Sequence, residues 1–152
     1  MKLHAALLAV VCSQLAMAAD DPAVTDYDAK KMDAAIQRAR DEVDKFVAVI
    51  TKEKVDSFSV KVQIKDGKDG EHFWLSDVKF ADGKFSGKLN NTPGIVKNVK
   101  FGDPVTVEKQ EITDWLYMRG RKMFGNYTLR VLMERMSDKE KEKMAKLFEL
   151  AE

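Results

Sequence analysis

Residues 58–65 read FSVKVQIK, in which apolar side chains alternate with polar ones. Successive side chains of a β-strand point to opposite faces, so a period of two predicts a strand that is buried on one face and wet on the other. Residues 66–70, DGKDG, are typical of a turn and follow this strand directly. The stretch therefore begins a sheet, and we expect the rest of the domain to be organised around it.

Four further segments are predicted to join this sheet. Residues 71–80 and 84–89 flank Asp82-Gly83, a dipeptide that favours a tight hairpin turn. Two shorter strands are expected at residues 104–107 and 113–118, after a loop that contains Pro93-Gly94. The sequence thus predicts an antiparallel sheet of about five strands.

A long helix is predicted before the sheet. Residues 28–52 carry apolar side chains at the three-and-four spacing of one helical face. The outer face holds opposite charges four residues apart, such as Arg40 with Asp44, which weakly support a helix. We expect this helix to pack on the sheet rather than to bind a partner or a membrane surface.

After the sheet, one or two C-terminal helices are predicted. Residues 128–136 fit either a strand or a helix, and Thr128, a residue able to cap a helix, favours the helix. Ser137 and Glu140 have the spacing of a capping box and begin a last helix that extends to Glu152. The predicted fold class is therefore α+β, with an antiparallel β-sheet, a long N-terminal helix and one or two C-terminal helices.

The first residues have the order of an export signal. Lys2 supplies a positive charge, residues 5–15 are largely apolar, and Ala16-Met17-Ala18 has the small-x-small pattern of a cleavage site. We predict a cleaved signal peptide at residues 1–18 and a single α+β domain at residues 19–152, located in the periplasm or secreted. The apolar run is shorter than the roughly 20 residues of a spanning helix, so we expect no stable membrane anchor after cleavage.

Composition limits the chemistry of the processed chain. Cys12 is the single cysteine, and cleavage after Ala18 removes it together with any disulfide or thiolate chemistry. A lipid on Cys12 is an alternative that Val11 disfavours, because such signals prefer a small residue before the cysteine. Loss of Lys2 from the 26 basic residues balances the 25 acidic ones, and this neutrality gives no support to nucleic-acid binding. We expect no metal and no cofactor.

His72 is the only histidine that remains after cleavage, so histidine-dependent chemistry in the domain would have to use it. A structural or surface role is the simpler interpretation of a single histidine on a strand. Carboxylates such as Asp77 and Asp114 fit a glycoside-hydrolase pattern only if the fold brings them together. The sequence contains no nucleophile elbow of the hydrolase type. An enzyme is therefore a weaker expectation than a binding protein.

Large aromatic side chains are the most unusual feature of the predicted strands. Phe73 and Trp74 are adjacent on one strand, and Trp115 and Tyr117 share one face of another. These residues belong to the core if helices and loops cover both faces of the sheet. If Trp74 reaches the face of Trp115 and Tyr117, the three rings line a binding groove instead. The pattern leaves both interpretations open.

Five short stretches together resemble one bacterial family. They are EHFWL (71–75), GKLNN (87–91), GD with two following valines (102–107), ITDW (112–115) and GNYTLR (125–130). Residues 58–132, which contain them, are similar to the YegJ-like family, a domain of unknown function. The resemblance implies a compact α+β domain and brings no reaction, substrate or catalytic residue with it. It gives weight to polar residues within these stretches as parts of a shared surface: Asn90, Asn91, Asp114, Tyr127 and Arg130.

We therefore expect a non-catalytic binding or interaction module of the bacterial envelope, with an envelope protein or polymer as its partner. The candidate binding residues are His72, Trp74, Asn90, Asn91, Asp114, Trp115, Tyr117, Tyr127 and Arg130. The alternative is a small hydrolase that acts on an envelope polymer through carboxylate acid and base residues, with His72 or Asp77 as first candidates. Two carboxylates facing each other across a cleft would favour the enzyme, and a shallow aromatic groove would favour the binder.

Overall fold

The computed structural model describes residues 28–152. Two helices, α1 (Ala29–Asp41) and α2 (Val43–Lys52), precede three strands, β1 (Ser57–Asp66), β2 (Asp69–Ala81) and β3 (Lys84–Leu89). After an irregular loop come β4 (Pro104–Glu108), a short 3₁₀ turn (Lys109–Glu111), β5 (Ile112–Arg119) and β6 (Lys122–Gly125). The last elements are α3 (Tyr127–Met133), α4 (Asp138–Leu147) and β7 (Glu149–Leu150).

The seven strands form one mixed sheet in the order β4-β3-β2-β1-β5-β6-β7. All neighbours are antiparallel except β6 and β7, which are parallel. The five predicted strands are present, but the expectation of a purely antiparallel sheet of that size is wrong, because two short strands extend it. β6 has four residues and β7 has two, too few for an alternating pattern to show in the sequence.

The long N-terminal helix predicted over residues 28–52 is two helices, interrupted at Glu42. The indole Nε1–H of Trp115 donates to the carbonyl of Ala39 at 2.9 Å. In a continuous helix that carbonyl accepts the amide of Val43. A side-chain donor inserted into the helical hydrogen-bond ladder is a common cause of a kink. The interruption is therefore imposed by the sheet below the helix, and the local sequence does not reveal it.

The sheet carries an apolar cluster on each face. α1 and α2 cover one face, where the fully buried Phe46 stacks on Trp115 with ring centroids 5.0 Å apart. Trp74, Leu116 and Phe148 belong to a second cluster on the opposite face. Because both faces are covered, the central parts of β1, β2 and β5 are buried.

The segment 128–136 is helical in its first part, where α3 spans Tyr127–Met133. The expectation that Thr128 caps this helix is wrong. Asn126 precedes the helix in the left-handed conformation, with φ 52°, and makes no side-chain capping bond. The first amides of α3 are instead bound by the carboxylate of Asp114 on β5. A cap supplied from a distant strand leaves no signal in the helix's own sequence.

α4 begins as predicted. The Ser137 amide donates to the Glu140 carboxylate at 2.8 Å, and the Glu140 amide donates to the Ser137 hydroxyl. The helix ends at Leu147 and not at Glu152. Phe148 turns into the second apolar cluster, and the residues after it pair with β6 as β7. Tertiary burial therefore overrides the apolar spacing that predicted a longer helix.

Residues 90–103 form an irregular loop that side chains fasten to the sheet. The Trp74 amide donates to the side-chain oxygen of Asn91 at 2.9 Å, and the Asn90 amide donates to the Trp74 carbonyl at 2.9 Å. β3 ends at Leu89, and the two asparagines that follow make hydrogen bonds to β2 in place of further strand pairing. The buried carboxylate of Glu71 accepts three successive amides, at residues 94–96, at distances of 2.8–3.2 Å.

Replacing Asn91 by alanine is expected to lower the free energy of unfolding by about 2 kcal/mol, because the buried Trp74 amide loses its acceptor. Urea unfolding measures this change. Asn98→Ala is the matched control in the same loop, since the Asn98 side chain donates to the Lys65 carbonyl at an exposed position. We expect that control to change stability by no more than about 0.5 kcal/mol. Equal effects of the two substitutions would contradict an anchoring role for Asn91.

The predicted signal peptide at residues 1–18, its cleavage after Ala18 and the fate of Cys12 lie outside the described residues. They stay predictions. Among the helices of residues 28–152, none is long and apolar enough to cross a membrane.

Candidate functional site

An open cleft is lined by α1 and by the strands β1, β2 and β5, and we call it the α1 cleft. Its volume is about 500 Å³. The apolar part of its lining comes from α1, and the polar part comes from both layers: Asp33, Gln37 and Arg40 of α1, and Gln63, His72 and Thr113 of the strands. Polar groups from a helix and three strands therefore converge on one opening.

Strand pairing builds the sheet side of the cleft. Gln63 and His72 are directly opposite each other on β1 and β2, so their side chains share a face. On β5 a bulge leaves Thr113 as an extra residue without a pairing partner on β1. The bulge brings the Thr113 hydroxyl to 3.0 Å from Nδ1 of His72, where the two groups share a hydrogen bond.

The helix side of the cleft is one edge of α1. Asp33, Gln37 and Arg40 are spaced four and three residues apart and so lie along the same edge. The Nε–H of Arg40 donates to the carbonyl of Ile112 at 2.9 Å, which positions the guanidinium in the lining of the cleft. Within residues 28–152 this is the hydrogen bond that Arg40 makes, so its two terminal nitrogens remain for the cleft.

His72 is half-buried and uncharged. Burial lowers the pKa of its imidazole to about 4, and the positive charges of Lys61 and Arg40 act in the same direction. Because Nδ1 shares its hydrogen bond with Thr113, Nε2 is the ring nitrogen left for the cleft. The cleft thus offers guanidinium donors, a neutral imidazole and amide groups, a set suited to holding a polar ligand by hydrogen bonds.

We expect the imidazole of His72 to stay uncharged until the pH falls to about 4. The unfolded chain takes up the same proton near pH 6.5. The stabilising contribution of neutral His72 is therefore complete above pH 6.5 and is lost as the pH falls toward 4. An NMR titration of the ring protons measures the pKa, and His72→Gln should flatten this part of the stability curve. A ring that titrates near pH 6.5 would contradict the described environment.

A second cavity, which we call the aromatic cavity, has a volume of about 340 Å³ and lies near the junction of β5 and β6. Tyr117 and Phe124 stack in its wall with ring centroids 4.6 Å apart. At its rim, Glu42 accepts hydrogen bonds from the Tyr127 hydroxyl at 2.9 Å and from Nε of Arg38 at 3.1 Å. Because these polar groups form hydrogen bonds with one another, the aromatic cavity offers a ligand fewer unused hydrogen-bonding groups than the α1 cleft does.

Tyr127 lines the aromatic cavity, and Arg130 packs on the Tyr127 ring; neither residue lines the α1 cleft. The guanidinium carbons of Arg38 and Arg130 lie 4.3 and 5.7 Å from the ring centroid of Tyr127. Burial raises the pKa of Tyr127 to about 12, and the hydrogen bond to Glu42 adds to the shift. Arg130 donates to the carbonyl of Ala151 at 2.6 Å. Both residues therefore join α3 to α1 and to the segment around β7.

The three large rings do not meet on one surface. Trp74 belongs to the second cluster and Trp115 and Tyr117 to the first, with exposed fractions of 2%, 4% and 7%. Val60 lies opposite both Leu75 and Trp115, so Trp115 shares a face with Leu75 and not with Trp74. The predicted groove lined by all three rings is wrong, and the interpretation of these residues as core is correct.

Asp114 is completely buried and anchors α3 to β5. Its Oδ1 accepts the amides of Trp115 at 2.9 Å and Tyr127 at 3.2 Å, and its Oδ2 accepts the amide and hydroxyl of Thr128 at 2.8 and 2.6 Å. Burial raises the pKa of this carboxyl, while the Thr128 hydrogen bonds and the charge of Lys61 oppose the shift. Four donors occupy the carboxylate, so Asp114 holds the fold together and has no capacity left for a ligand.

The carboxylate pair suggested for the hydrolase alternative is not assembled. Asp77 is exposed and forms an ion pair with Lys88 at 3.1 Å. Asp77 is five positions after His72, roughly 16 Å along β2. Asp114 is enclosed, and among residues 28–152 Asp33 is the one carboxylate in the lining of the α1 cleft. These groups do not form the facing acid and base that hydrolysis needs.

The described part of the chain, residues 28–152, contains no group of three or more His, Cys, Asp or Glu side chains placed to hold a metal ion.

Five of the six polar residues that line the α1 cleft were not among the predicted site residues: Asp33, Gln37, Arg40, Gln63 and Thr113. Arg40 has the helical spacing of an outer charged face, and Gln63 has the alternation of a wet strand face. Their meeting with His72 depends on strand register and helix placement, which no local pattern specifies.

The fold and the cleft define a class of protein: a small α+β domain with a mixed sheet and an open polar cleft that is lined by α1 and three strands. The chain belongs to a bacterial family, because residues 29–150 match the family described as "Uncharacterized protein conserved in bacteria (DUF2314)". The resemblance to YegJ-like proteins is thereby confirmed. The match also includes α1 and α4, which lie outside the stretch where the resemblance was seen.

Two relatives share sequence with this chain. The uncharacterized protein YegJ of Escherichia coli (strain K12) is 46% identical over 107 residues, which cover 70% of each chain. A putative ankyrin repeat protein of Neisseria meningitidis serogroup B is 34% identical over 91 residues. That match covers 57% of this chain and 36% of the relative. No solved structure matches the chain.

Proposed function

We propose that this protein is a non-catalytic binding module of the bacterial envelope and that an envelope polymer occupies the α1 cleft. The observation that carries the proposal is the convergence of Arg40, His72, Gln63 and Thr113 on an open cleft in which no carboxylate pair is assembled. These four residues belong to α1, β1, β2 and β5, so the rigid centre of the sheet positions the cleft.

The contact between Thr113 and His72 does not make a catalytic nucleophile. A hydroxyl becomes nucleophilic when a neighbouring base with a pKa near the working pH takes its proton. Burial and two nearby cations lower the pKa of His72 to about 4, so its imidazole is a weak base at neutral pH. The hydrogen bond between these residues therefore orients the ring for binding and favours the non-catalytic proposal.

The ankyrin-named relative supports a modular role. The matching domain accounts for 36% of that protein, so the domain occurs there as one part of a longer chain. Ankyrin repeats stack into extended surfaces that are used for binding. A domain combined with such repeats is more consistent with recognition than with an independent enzymatic activity.

Export is the second part of the proposal, and it rests on the order of charge, apolar run and small residues in the first 18 residues. We expect the protein from the envelope fraction to begin at Ala19. N-terminal sequencing checks this result. An intact Met1, or a lipid on Cys12, would contradict the proposed processing.

Filling the α1 cleft tests the proposed site. Gln37 is exposed and lines the cleft, so Gln37→Trp places a large ring over the opening without changing the core. Ala34→Trp adds the same ring at an exposed position of α1 outside the lining and is the matched control. Each immobilised variant is incubated with envelope polymer from which protein has been removed by protease, and the retained polymer is measured.

We expect wild type and Ala34→Trp to retain polymer and Gln37→Trp to lose most of that retention. Equal retention by Gln37→Trp would place the binding surface elsewhere. Retention that occurs only when the extract still contains protein would show that the partner is a protein and would contradict the polymer assignment. Thermal melts of both variants confirm that each is folded.

A further inference from the structure

We infer that the ligand presents an anionic oxygen group, a carboxylate or a phosphate, to Arg40 and His72 in the α1 cleft. This inference rests on the proposed function and adds the chemistry of the group that is bound. The contacts of Arg40, the charges around His72 and the shape of the cleft each support it.

The guanidinium of Arg40 is held in place by a hydrogen bond to a neutral group, which leaves its positive charge without a counter-charge among the described residues. Its Nε–H donates to the Ile112 carbonyl at 2.9 Å, a contact that fixes the guanidinium plane and contributes no negative charge. Arg38 on the same helix is different, because its Nε lies 3.1 Å from the carboxylate of Glu42. Within residues 28–152, Arg40 has no such ion pair, so its remaining N–H groups are available for a planar, bidentate anion.

The potential at His72 is positive. Arg40 from α1 and Lys61 from β1 both act on the imidazole, and Lys61 is only 4% exposed, so water screens it poorly. Two carboxylates lie on the surrounding elements. Asp114, on β5, is committed to four hydrogen bonds of its own. Asp33, on α1, lines the same cleft, yet the charges that act on His72 are the two cations.

The rest of the cleft fits an uncharged polar body attached to the anionic group. Asp33 lies seven residues before Arg40, roughly 10 Å along the helix axis. Gln37 lies between them, and Gln63 lies opposite on β1. Amide and carboxylate oxygens at this end accept hydrogen bonds from hydroxyl groups. An acidic sugar or a polyol phosphate, the repeating chemistry of a polyanionic envelope polymer, therefore fits better than an isolated ion.

Binding of an anion also couples to the protonation of His72. An anion beside the ring offsets the positive potential and raises the pKa of the imidazole, so the complex takes up a proton more readily than the free protein. The affinity for the anion consequently increases as the pH falls from 7 toward 5. Asp33, Arg40 and Lys61 are the charged groups around the ring.

The test uses two pairs of small probes that differ in charge. Glucuronate is compared with glucose, and glycerol 3-phosphate is compared with glycerol. NMR follows the ring of His72 during titration at pH 7 and pH 5, in wild type and in three variants: Arg40→Gln, Arg40→Lys and Asp33→Asn. We expect at least one charged probe to shift the ring and its uncharged partner to leave it unchanged. The charged probe that binds identifies the anion as a carboxylate or a phosphate.

Arg40→Gln should lower the affinity for the charged probe about tenfold or more, because a fixed charged donor is lost. Arg40→Lys should retain part of the affinity, and Asp33→Asn should bind as well as wild type or better. Binding that is equal for charged and uncharged probes, unaffected by Arg40→Gln, or absent for both charged probes would overturn the inference. If the charged probes fail while Gln37→Trp still abolishes polymer retention, the cleft binds an uncharged ligand. Failure of both tests rejects the proposed function as well.

Discussion

Replacing Asp114 by alanine is expected to lower the free energy of unfolding by about 3–5 kcal/mol, the range for removing one partner of a buried charged network. The substitution leaves four donors, from Trp115, Tyr127 and Thr128, without their acceptor. It also removes a negative charge that interacts with the buried Lys61. Urea unfolding gives the change in stability, and hydrogen exchange should show that the first amides of α3 lose protection.

Asp77→Ala is the matched control for that substitution. Asp77 is the same residue type on β2, but it is exposed and its ion pair with Lys88 is a surface contact. Such pairs contribute little, so we expect a change within about 1 kcal/mol. A loss below about 1 kcal/mol for Asp114→Ala would show that α3 does not depend on the carboxylate.

Replacing Trp115 by alanine is expected to cost about 3–5 kcal/mol of stability, because the change opens a large cavity in the core. Trp115 packs against both Phe46 and Tyr117, at centroid distances of 5.0 and 6.2 Å, and its Nε1–H donates to the carbonyl of Ala39. Thermal or urea unfolding measures the effect. A Trp115 side chain exposed in a groove would instead leave the melting temperature nearly unchanged after this substitution.

Trp115→Phe separates the two contributions of this side chain. Phenylalanine keeps an aromatic ring in the stack and removes the hydrogen bond to the Ala39 carbonyl. We expect it to retain most of the stability and to lose about 1 kcal/mol, the usual net contribution of a hydrogen bond. If Trp115→Ala were as stable as wild type, the packing described for this face of the sheet would be contradicted.

Much of the sheet is predictable from the sequence because its long strands alternate strongly. The period of two at residues 58–65 locates β1, and the turn residues that follow locate β2 and β3. β6 escapes prediction because it has only four residues. β7 has two residues and pairs with a strand that lies far before it in the chain. Whether a strand can be predicted therefore depends more on its length and on the distance in sequence to its partner strand than on its residue types.

Side-chain placement across strands is harder to predict than placement along one strand. Alternation shows that Trp115 and Tyr117 share a face, and the structure confirms it. It does not show which face of β2 joins them, because one step of register reverses every side chain. Trp74 therefore lies on the opposite face. The break between α1 and α2 has a similar origin, since the donor to Ala39 comes from a strand 76 residues away.

Of the residues named as site candidates from the sequence, His72 is the one that lines the α1 cleft among the described residues. Asn91 and Asp114 are structural, since their oxygens bind backbone amides. Tyr127 lines the aromatic cavity, and Arg130 packs on its ring. The shared motifs of the family therefore mark positions that hold the fold together as well as positions near the cleft.

Chemical modification of His72 tests most directly whether the α1 cleft is the ligand site. Diethyl pyrocarbonate reacts with neutral imidazole, and mass spectrometry of the peptide that contains His72 gives the rate at this residue alone. The rate is measured for the free protein and with protein-free envelope polymer at a concentration that saturates retention. We expect the polymer to slow modification of His72 several-fold in wild type and to have no effect in Gln37→Trp. An unchanged rate while the polymer is bound would show that the ligand lies outside the α1 cleft.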